Sequence, residues 1–258
     1  MTSLSPEHID GVLTNGYVVV PDVLTAEHAH RLRQRLADLV AEQRRALSAA
    51  TVIDDYMVHN LMVLDQGFLD LLEQPTIVEV LDTFLGDTSI LYAYTSSSMP
   101  AGGTNYSHRV HVDSPRVIPG YMTNLGIIVA LDDFTEANGA TYFLPKSFER
   151  TEVPTEQEFF AGARRVYPKR GDIVVFNARS WHLGGQNTTS EDRHAVTLNA
   201  CRSYMRQRFD YPRLIGDELA AGLSPTLRRI LGFNVRIPAS LDEYYLPEDQ
   251  RLYKANQG

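Results

Sequence analysis

Short strands late in the chain and amphipathic helices early in it predict a mainly β fold, a sandwich or barrel with helices packed outside. Segments around 88–95, 121–131, 139–144, 172–177 and 194–205 are rich in Tyr, Ile, Val and Thr and separated by turn signals. Asn138-Gly139 and Arg170-Gly171-Asp172 are the clearest of those turns. Strands do not alternate with long helices, so a parallel sheet built from βαβ units is not expected. No repeat, low-complexity tract or linker divides the 258 residues. The chain therefore reads as one domain, with a helical part over about 1–86, a β core over about 87–206 and a C-terminal helical extension over about 207–258.

In chain order, Ser5 followed by Pro6 signals a helix start, and Asn15-Gly16 its end. GYVVVP (16–21) reads as a short buried strand. Thr25 then caps a long helix whose Leu32, Leu36, Leu39 and Val40 recur at spacings of three and four, one apolar stripe. A further helix begins near Pro75 and carries Ile77, Val78, Val80, Leu81, Phe84 and Leu85, with Gly86 placed to end it. After the strands, SPTLRRILGF (224–233) predicts one more short helix, capped by Ser224 with Pro225 at its first position.

Composition narrows the function. A chain that is 43% hydrophobic and 22% charged is ordinary for a globular protein. A net charge of −8 argues against a nucleic-acid binder, which needs a clustered positive field. With Cys201 as the one cysteine, an internal disulfide and a zinc–thiolate cluster are both excluded. The start MTSLSPEHID lacks the basic and apolar runs of a signal peptide, and stretches such as IIVAL (127–131) are too short to span a bilayer. A cytoplasmic protein without a membrane partner is expected; the oligomeric state is left open.

HRVHVDSPR (108–116) packs two histidines, an aspartate and two arginines into nine positions. In an extended segment His111 and Asp113 project from one face and can reach one point in space. Two ligands from one strand and a third from elsewhere suit a two-histidine, one-carboxylate metal site with open positions. Alone, H-x-D is as readily a solvated loop. Of the eight histidines, His8, His28 and His30 read as helix surface, and His59 as a core or supporting residue. His194 follows Arg193 on a strand and should face the other way. His182 ends the apolar run GDIVVFNARSW and precedes two glycines that permit close approach, a good setting for a ligand or for a satisfied core histidine. Arg193 lies eleven positions on; a hairpin would return it beside the metal, where a guanidinium can grip a carboxylate.

Taken in order, H-x-D (111–113) and H-x-G-G-x-N-x5-R (182–193) resemble the phytanoyl-CoA dioxygenase (PhyH) family of Fe(II)/2-oxoglutarate-dependent oxygenases. DGVLTNGYVVVPDVLTAEHAHRLRQRL (10–36) is similar to that family's opening. NGATYFLPKSF (138–148) is similar to its strand–turn segment, with Phe148 where histidine is common, and GDIVVFNARSWH (171–182) to its run into the last ligand. The resemblance spans roughly 8–206.

It implies a double-stranded β-helix, the cupin-like jelly-roll of two packed sheets. It implies Fe(II) at His111, Asp113 and His182, and 2-oxoglutarate and O2 as co-substrates, with Arg193 on the far carboxylate of 2-oxoglutarate. Some relatives carry a serine where Gly184 stands; His59, Asn60, Thr123 and Asn124 are the candidates for replacing that contact. The implied reaction is oxidation of an unactivated C–H bond of a small molecule. With Asp113 present, hydroxylation is expected rather than halogenation, while desaturation, epimerisation and cyclisation draw on the same oxidant. A tailoring step in natural-product or small-molecule metabolism is the expected setting. Arg109, Arg116 and Tyr106 are the candidates for substrate contact, and Tyr92, Tyr94 and Met99 line a pocket or pack the sheet. Trp181 should point away from His182. The rival readings are a zinc-type hydrolase, which would not need Arg193, and a non-catalytic jelly-roll binding protein.

Overall fold

A computed structural model describes residues 3–46 and 54–257 of the chain. Residues 1–2 of the opening stretch and 47–53 of the helical part, both read above, lie outside the described residues.

The first helix, α1 (Pro6–Asn15), starts where Ser5 accepts a hydrogen bond from the His8 amide at 3.3 Å, and ends at Gly16 with φ 87°. Strand β1 (Tyr17–Val20) follows, then α2 (Ala26–Ala46), with the Thr25 hydroxyl accepting from the His28 amide. Leu32, Leu36, Leu39 and Val40 form its buried stripe, as their spacing predicts. A short helix, α3 (Gln66–Leu71), was not legible from periodicity; it is set by the Asp65 cap on Gly67. Helix α4 (Pro75–Leu85) buries Ile77, Val80, Leu81, Phe84 and Leu85, and leaves Val78 only partly covered.

Strands β2 (Ile90–Ser96) and β3 (Asn124–Ala130) are separated by the long segment that carries HRVHVDSPR. Next come β4 (Tyr142–Phe143), α5 (Glu156–Gly162), β5 (Arg164–Arg165), β6 (Ile173–Asn177), β7 (His182–Leu183) and β8 (Ala195–Cys201). The C-terminal part holds α6 (Tyr211–Ala220), α7 (Pro225–Ile230) and α8 (Leu241–Tyr244). Ser224 caps α7 by accepting from Leu227 at 3.0 Å, as its sequence predicts. The expected strand over 121–131 begins three residues later, because Tyr121 to Thr123 belong to the wall of a cavity instead of the sheet.

Two antiparallel sheets result, one ordered β1-β6-β3-β8-β2 and a smaller one ordered β5-β4-β7. They face each other as in an open jelly-roll, not a closed barrel. Period-two alternation assigns the faces. On the large sheet Leu125, Ile127, Val129, Ile173, Val175, Val196, Leu198 and Tyr94 point outward, into one apolar cluster with the helices. Tyr94 donates to the Phe68 carbonyl in α3 and is buried, so it packs the sheet. The opposite face carries Ile128, Ala130, Val174, Phe176 and Ala195, packed with Phe143 of β4 and Phe134 between the sheets. Outside the small sheet Trp181, Leu183 and Phe159 form a third cluster with Val110, Val112 and Tyr142.

Candidate metal centre

Strand pairing decides which way each candidate points. Phe143 pairs with His182 and Tyr142 with Leu183. Tyr142 and Leu183 belong to the outer cluster, so Phe143 and His182 face the interior. His111 then bridges to His182, with reciprocal backbone hydrogen bonds of 3.0 and 2.9 Å. Val110 and Val112 go outward, and His111 and Asp113 inward, although neither lies in a continuous strand. Trp181, one residue before His182, faces out as the alternation predicts.

His111, Asp113 and His182 come together with their ligand atoms within 4.8 Å of one another. Asp113 Oδ1 lies 3.6 Å from His111 Nε2 and 3.9 Å from His182 Nε2. Each imidazole is tied from behind, His111 Nδ1 to the Arg109 carbonyl at 2.7 Å and His182 Nδ1 to the Ser180 carbonyl at 3.0 Å. A carbonyl only accepts, so both Nδ1 atoms carry the proton and both Nε2 lone pairs face Asp113. Burial and the neighbouring His182 push the His111 pKa down to about 4, against the pull of Asp113, which keeps the ring in the neutral form a metal needs. Ligands at right angles on one ion, about 2.1 Å from it, stand roughly 3 Å apart, so modest rotations suffice to close the set. The donor set, two imidazoles and a carboxylate on one side, fits a divalent iron with open positions.

The His182 ring is wedged by Phe176 (centroids 5.1 Å apart), Phe143 (5.4 Å) and His111 (4.2 Å). Phe176 in turn occupies the space above Gly126, where an added Cβ would stand 2.0 Å from its ring. Gly126→Ala is therefore expected to destabilise the protein by about 1–3 kcal/mol through overpacking. It should also loosen metal binding by displacing Phe176 toward His182. An unchanged urea midpoint would show that this contact is not tight.

Arg193 is 2% exposed. Its guanidinium lies 4.0 Å from the centre of the Phe134 ring and donates to the carbonyls of Gly139 (3.3 Å) and Ser97 (3.5 Å), leaving Nε unpartnered. Among the described residues it forms no ion pair with a carboxylate. Burial lowers its pKa to about 10, with Asp132 opposing the shift, so the group stays charged at neutral pH. Phe134 shares the inter-sheet cluster with Phe143 and Phe176, which places the cation and the triad in one interior. The route differs from the expected hairpin. His182 lies in the small sheet, Arg193 bridges to Met99, and β8 joins the large sheet, so the connection crosses between sheets. The glycine-containing turn packs against the Asn138-Gly139 turn and lets the chain cross instead of folding back.

The other candidates disperse. His59 pairs with Thr95 and sets its ring against Asp54 (3.1 Å) and Phe209, and is not one of the three convergent groups. Asn60 has φ 59° and a buried Oδ1 without a partner among the described residues. Thr123 and Arg116 line a cavity of about 190 Å³ with Asn177 and Arg179, and no triad residue lines it. Asn124, next along from Thr123, faces the sandwich interior. Arg109 stacks 4.1 Å over the Tyr106 ring and donates to its hydroxyl, and its own carbonyl anchors His111. His108 donates to the Gly184 carbonyl at 2.8 Å and does not enter the triad. At Gly184 an added Cβ would meet Ser107 Oγ at 2.2 Å, so Ser107 fills the space that a side chain at 184 would need. Sequence reasoning missed Asn199, whose Nδ2 donates to Asp113 Oδ2 at 3.4 Å. Its inward position in the alternating run RHAVTLNAC was the available signal.

A cupin-like pair of sheets with a His-Asp-His triad on the inner face defines the non-haem oxygenase class. The sequence model of the phytanoyl-CoA dioxygenase (PhyH) family matches residues 12–195, and the chain belongs to that family. It is an enzyme, a dioxygenase, and iron and 2-oxoglutarate are the cofactor and co-substrate that the family and the triad imply. The uncharacterized protein Rv1501 of Mycobacterium tuberculosis is 32% identical to it, over 94% of this chain and 92% of its own length. Dioxygenase af480 of Aspergillus fumigatus is 28% identical, over 85% of this chain and 74% of its own. Among solved structures, EctD from S. alaskensis with 2-oxoglutarate and 5-hydroxyectoine superposes with a TM-score of 0.64 at 20% identity, covering 77% of this chain and 76% of that one. The non-heme alpha-ketoglutarate-dependent epimerase SnoN, from nogalamycin biosynthesis, does so at 0.60 and 23% identity, covering 75% and 81%. At these identities the likeness establishes the shared fold. No helix among the described residues is long and apolar enough to cross a membrane.

Proposed function

We propose that the protein is an Fe(II)/2-oxoglutarate-dependent oxygenase that oxidises an unactivated C–H bond of a small molecule, with hydroxylation as the outcome. In this reading His111, Asp113 and His182 hold the iron, and Arg193 binds the far carboxylate of 2-oxoglutarate. The observation that carries it is the buried Arg193 cation, which forms no ion pair with a carboxylate among the described residues and shares an apolar interior with the triad. A zinc-type hydrolase gives that cation no task; a bidentate organic acid does. With the metal bound, O2 would be the oxidant: two of its four oxidising equivalents would convert 2-oxoglutarate to succinate and CO2, and the other two would oxidise the C–H bond.

The chain's own residues bind, orient and exclude water. The backbone carbonyls of Arg109 and Ser180 set the tautomer and direction of the two imidazoles. Phe143 and Phe176 pack around His182 and keep water from its inner side. Asp113 occupies the position whose loss would free a metal site for a halide. Of the substrate candidates, Arg109 is the one joined to the triad, through its carbonyl on His111. Its guanidinium, held by Tyr106 and free of any ion pair among the described residues, suits a substrate with an anionic group. A tailoring step on a small metabolite fits these features.

The test is optical. Metal-free protein given Fe(II) without oxygen should develop a visible charge-transfer band when 2-oxoglutarate is added. Absence of that band, or turnover with zinc and water alone, would overturn the assignment.

A further inference from the structure

The two oxygens of Asp113 have different surroundings. Oδ1 is the one near both histidine Nε2 atoms, at 3.6 and 3.9 Å, while Oδ2 accepts from Asn199 Nδ2 at 3.4 Å. Asn199 sits on β8, and its register partners on the two flanking strands are Gly126 and Ala93. Neither neighbour offers a polar group, so the amide is held only at its tip. Asn124 supplies the second hold, its Nδ2 donating to Asn199 Oδ1 at 3.5 Å. Both asparagines are buried, 4% exposed at Asn124 and 6% at Asn199.

The chemistry of the groups orders this chain of contacts. An ionised carboxylate only accepts, so Asn199 must turn its NH2 toward Asp113. Its oxygen then faces Asn124, which must present an NH2 in turn. The polarity is thus set by Asp113 and carried across two residues. In that ordering Asn124 Oδ1 faces away from Asn199, and it is buried without a partner among the described residues.

We propose that Asn124 and Asn199 are positioning residues that hold the second oxygen of Asp113, so that the carboxylate presents one oxygen to the metal and leaves the remaining positions open. The proposal rests on the metal-centre reading above. Asn199 touches the ligand and Asn124 acts through Asn199.

The test measures Co(II) affinity and the Co(II) visible spectrum of the metal-free, full-length protein. Variants Asn199→Ala, Asn124→Ala, the double variant and His182→Ala are compared, with thermal melting as the folding control. Loss of an outer-shell partner of a metal ligand weakens metal binding about 10–100-fold, the loss expected for Asn199→Ala, with a shifted ligand-field band. Asn124→Ala should weaken binding less, and should add nothing once Asn199 is gone, because its effect passes through that residue. Should Asn199→Ala fail to fold, Asn199→Ser keeps a donor and Asn124→Ala still reports the relay. Unchanged affinity and spectrum in the asparagine variants, alongside lost binding in His182→Ala, overturn the relay and leave the metal centre standing. Additive losses at Asn124 and Asn199 also overturn it, since independent packing effects would add. No Co(II) binding by the parent protein, or equal binding by His182→Ala, overturns the metal reading itself.

Discussion

His182→Ala is expected to abolish iron-dependent turnover, by at least about three orders of magnitude, and to remove tight metal binding. Two facial donors from residues 111 and 113 remain in that variant, and both come from one segment. They cannot close a three-point face around an ion. His182 is also the member of the triad most enclosed by packing, 6% exposed and wedged among Phe143, Phe176 and His111. Its truncation opens a cavity, and large-to-small changes in a core cost about 2–5 kcal/mol. His182→Gln preserves most of the volume and separates the two effects: its melting temperature should stay near that of the parent while metal binding is lost. Metal-dependent turnover surviving in both variants would mean that the iron is held elsewhere.

Arg193→Ala should act on the co-substrate. Removing one partner of a buried charge pair costs about 3–5 kcal/mol, so the KM for 2-oxoglutarate should rise about 10²–10⁴-fold, with a smaller change in kcat. Arg193→Lys should recover part of the loss, because an ammonium keeps the charge without the two-pronged geometry. The depressed pKa adds an independent readout. A guanidinium whose pKa falls from its ordinary value to about 10 on burial is a charge the fold holds at a cost at every pH below that value. An anion seated against it offsets the cost. Accordingly 2-oxoglutarate should raise the melting temperature of metal-loaded parent protein and leave Arg193→Ala nearly unmoved. Binding of the co-substrate should then weaken as the pH rises through about 10. An equal thermal shift in both proteins would place the carboxylate on another residue.

Much of the fold was legible because its signals are local. Ser5-Pro6, Thr25 and Ser224-Pro225 mark helix starts by satisfying amides within a few residues, and the stripe of Leu32, Leu36, Leu39 and Val40 follows from 3.6-residue periodicity. Helices α3, α6 and α8 were covered only by the broad helical readings of about 1–86 and 207–258, and α5 went unread. Helices α3, α5 and α8 span seven residues or fewer, and α6 contains a non-helical Gly216, so none carries a sustained apolar stripe.

The site divides in the same way. The convergence of His111, Asp113 and His182 could be anticipated from residue type and order, since a metal demands particular donors, and the proposed role of Arg193 rests on the same kind of reading. The partner of Asp113 could not. Asn199 is joined to it across 86 positions by sheet register; alternation marks the face Asn199 lies on and not the group it meets there. Likewise Thr123 and Asn124 were equal candidates in the sequence, yet strand direction sends one to a cavity wall and the other to the interior. The chain's own order of residues determined which chemical groups are available and which class of enzyme they make. Only the packing of two sheets decided which groups meet, because register and facing depend on contacts between segments far apart in the chain.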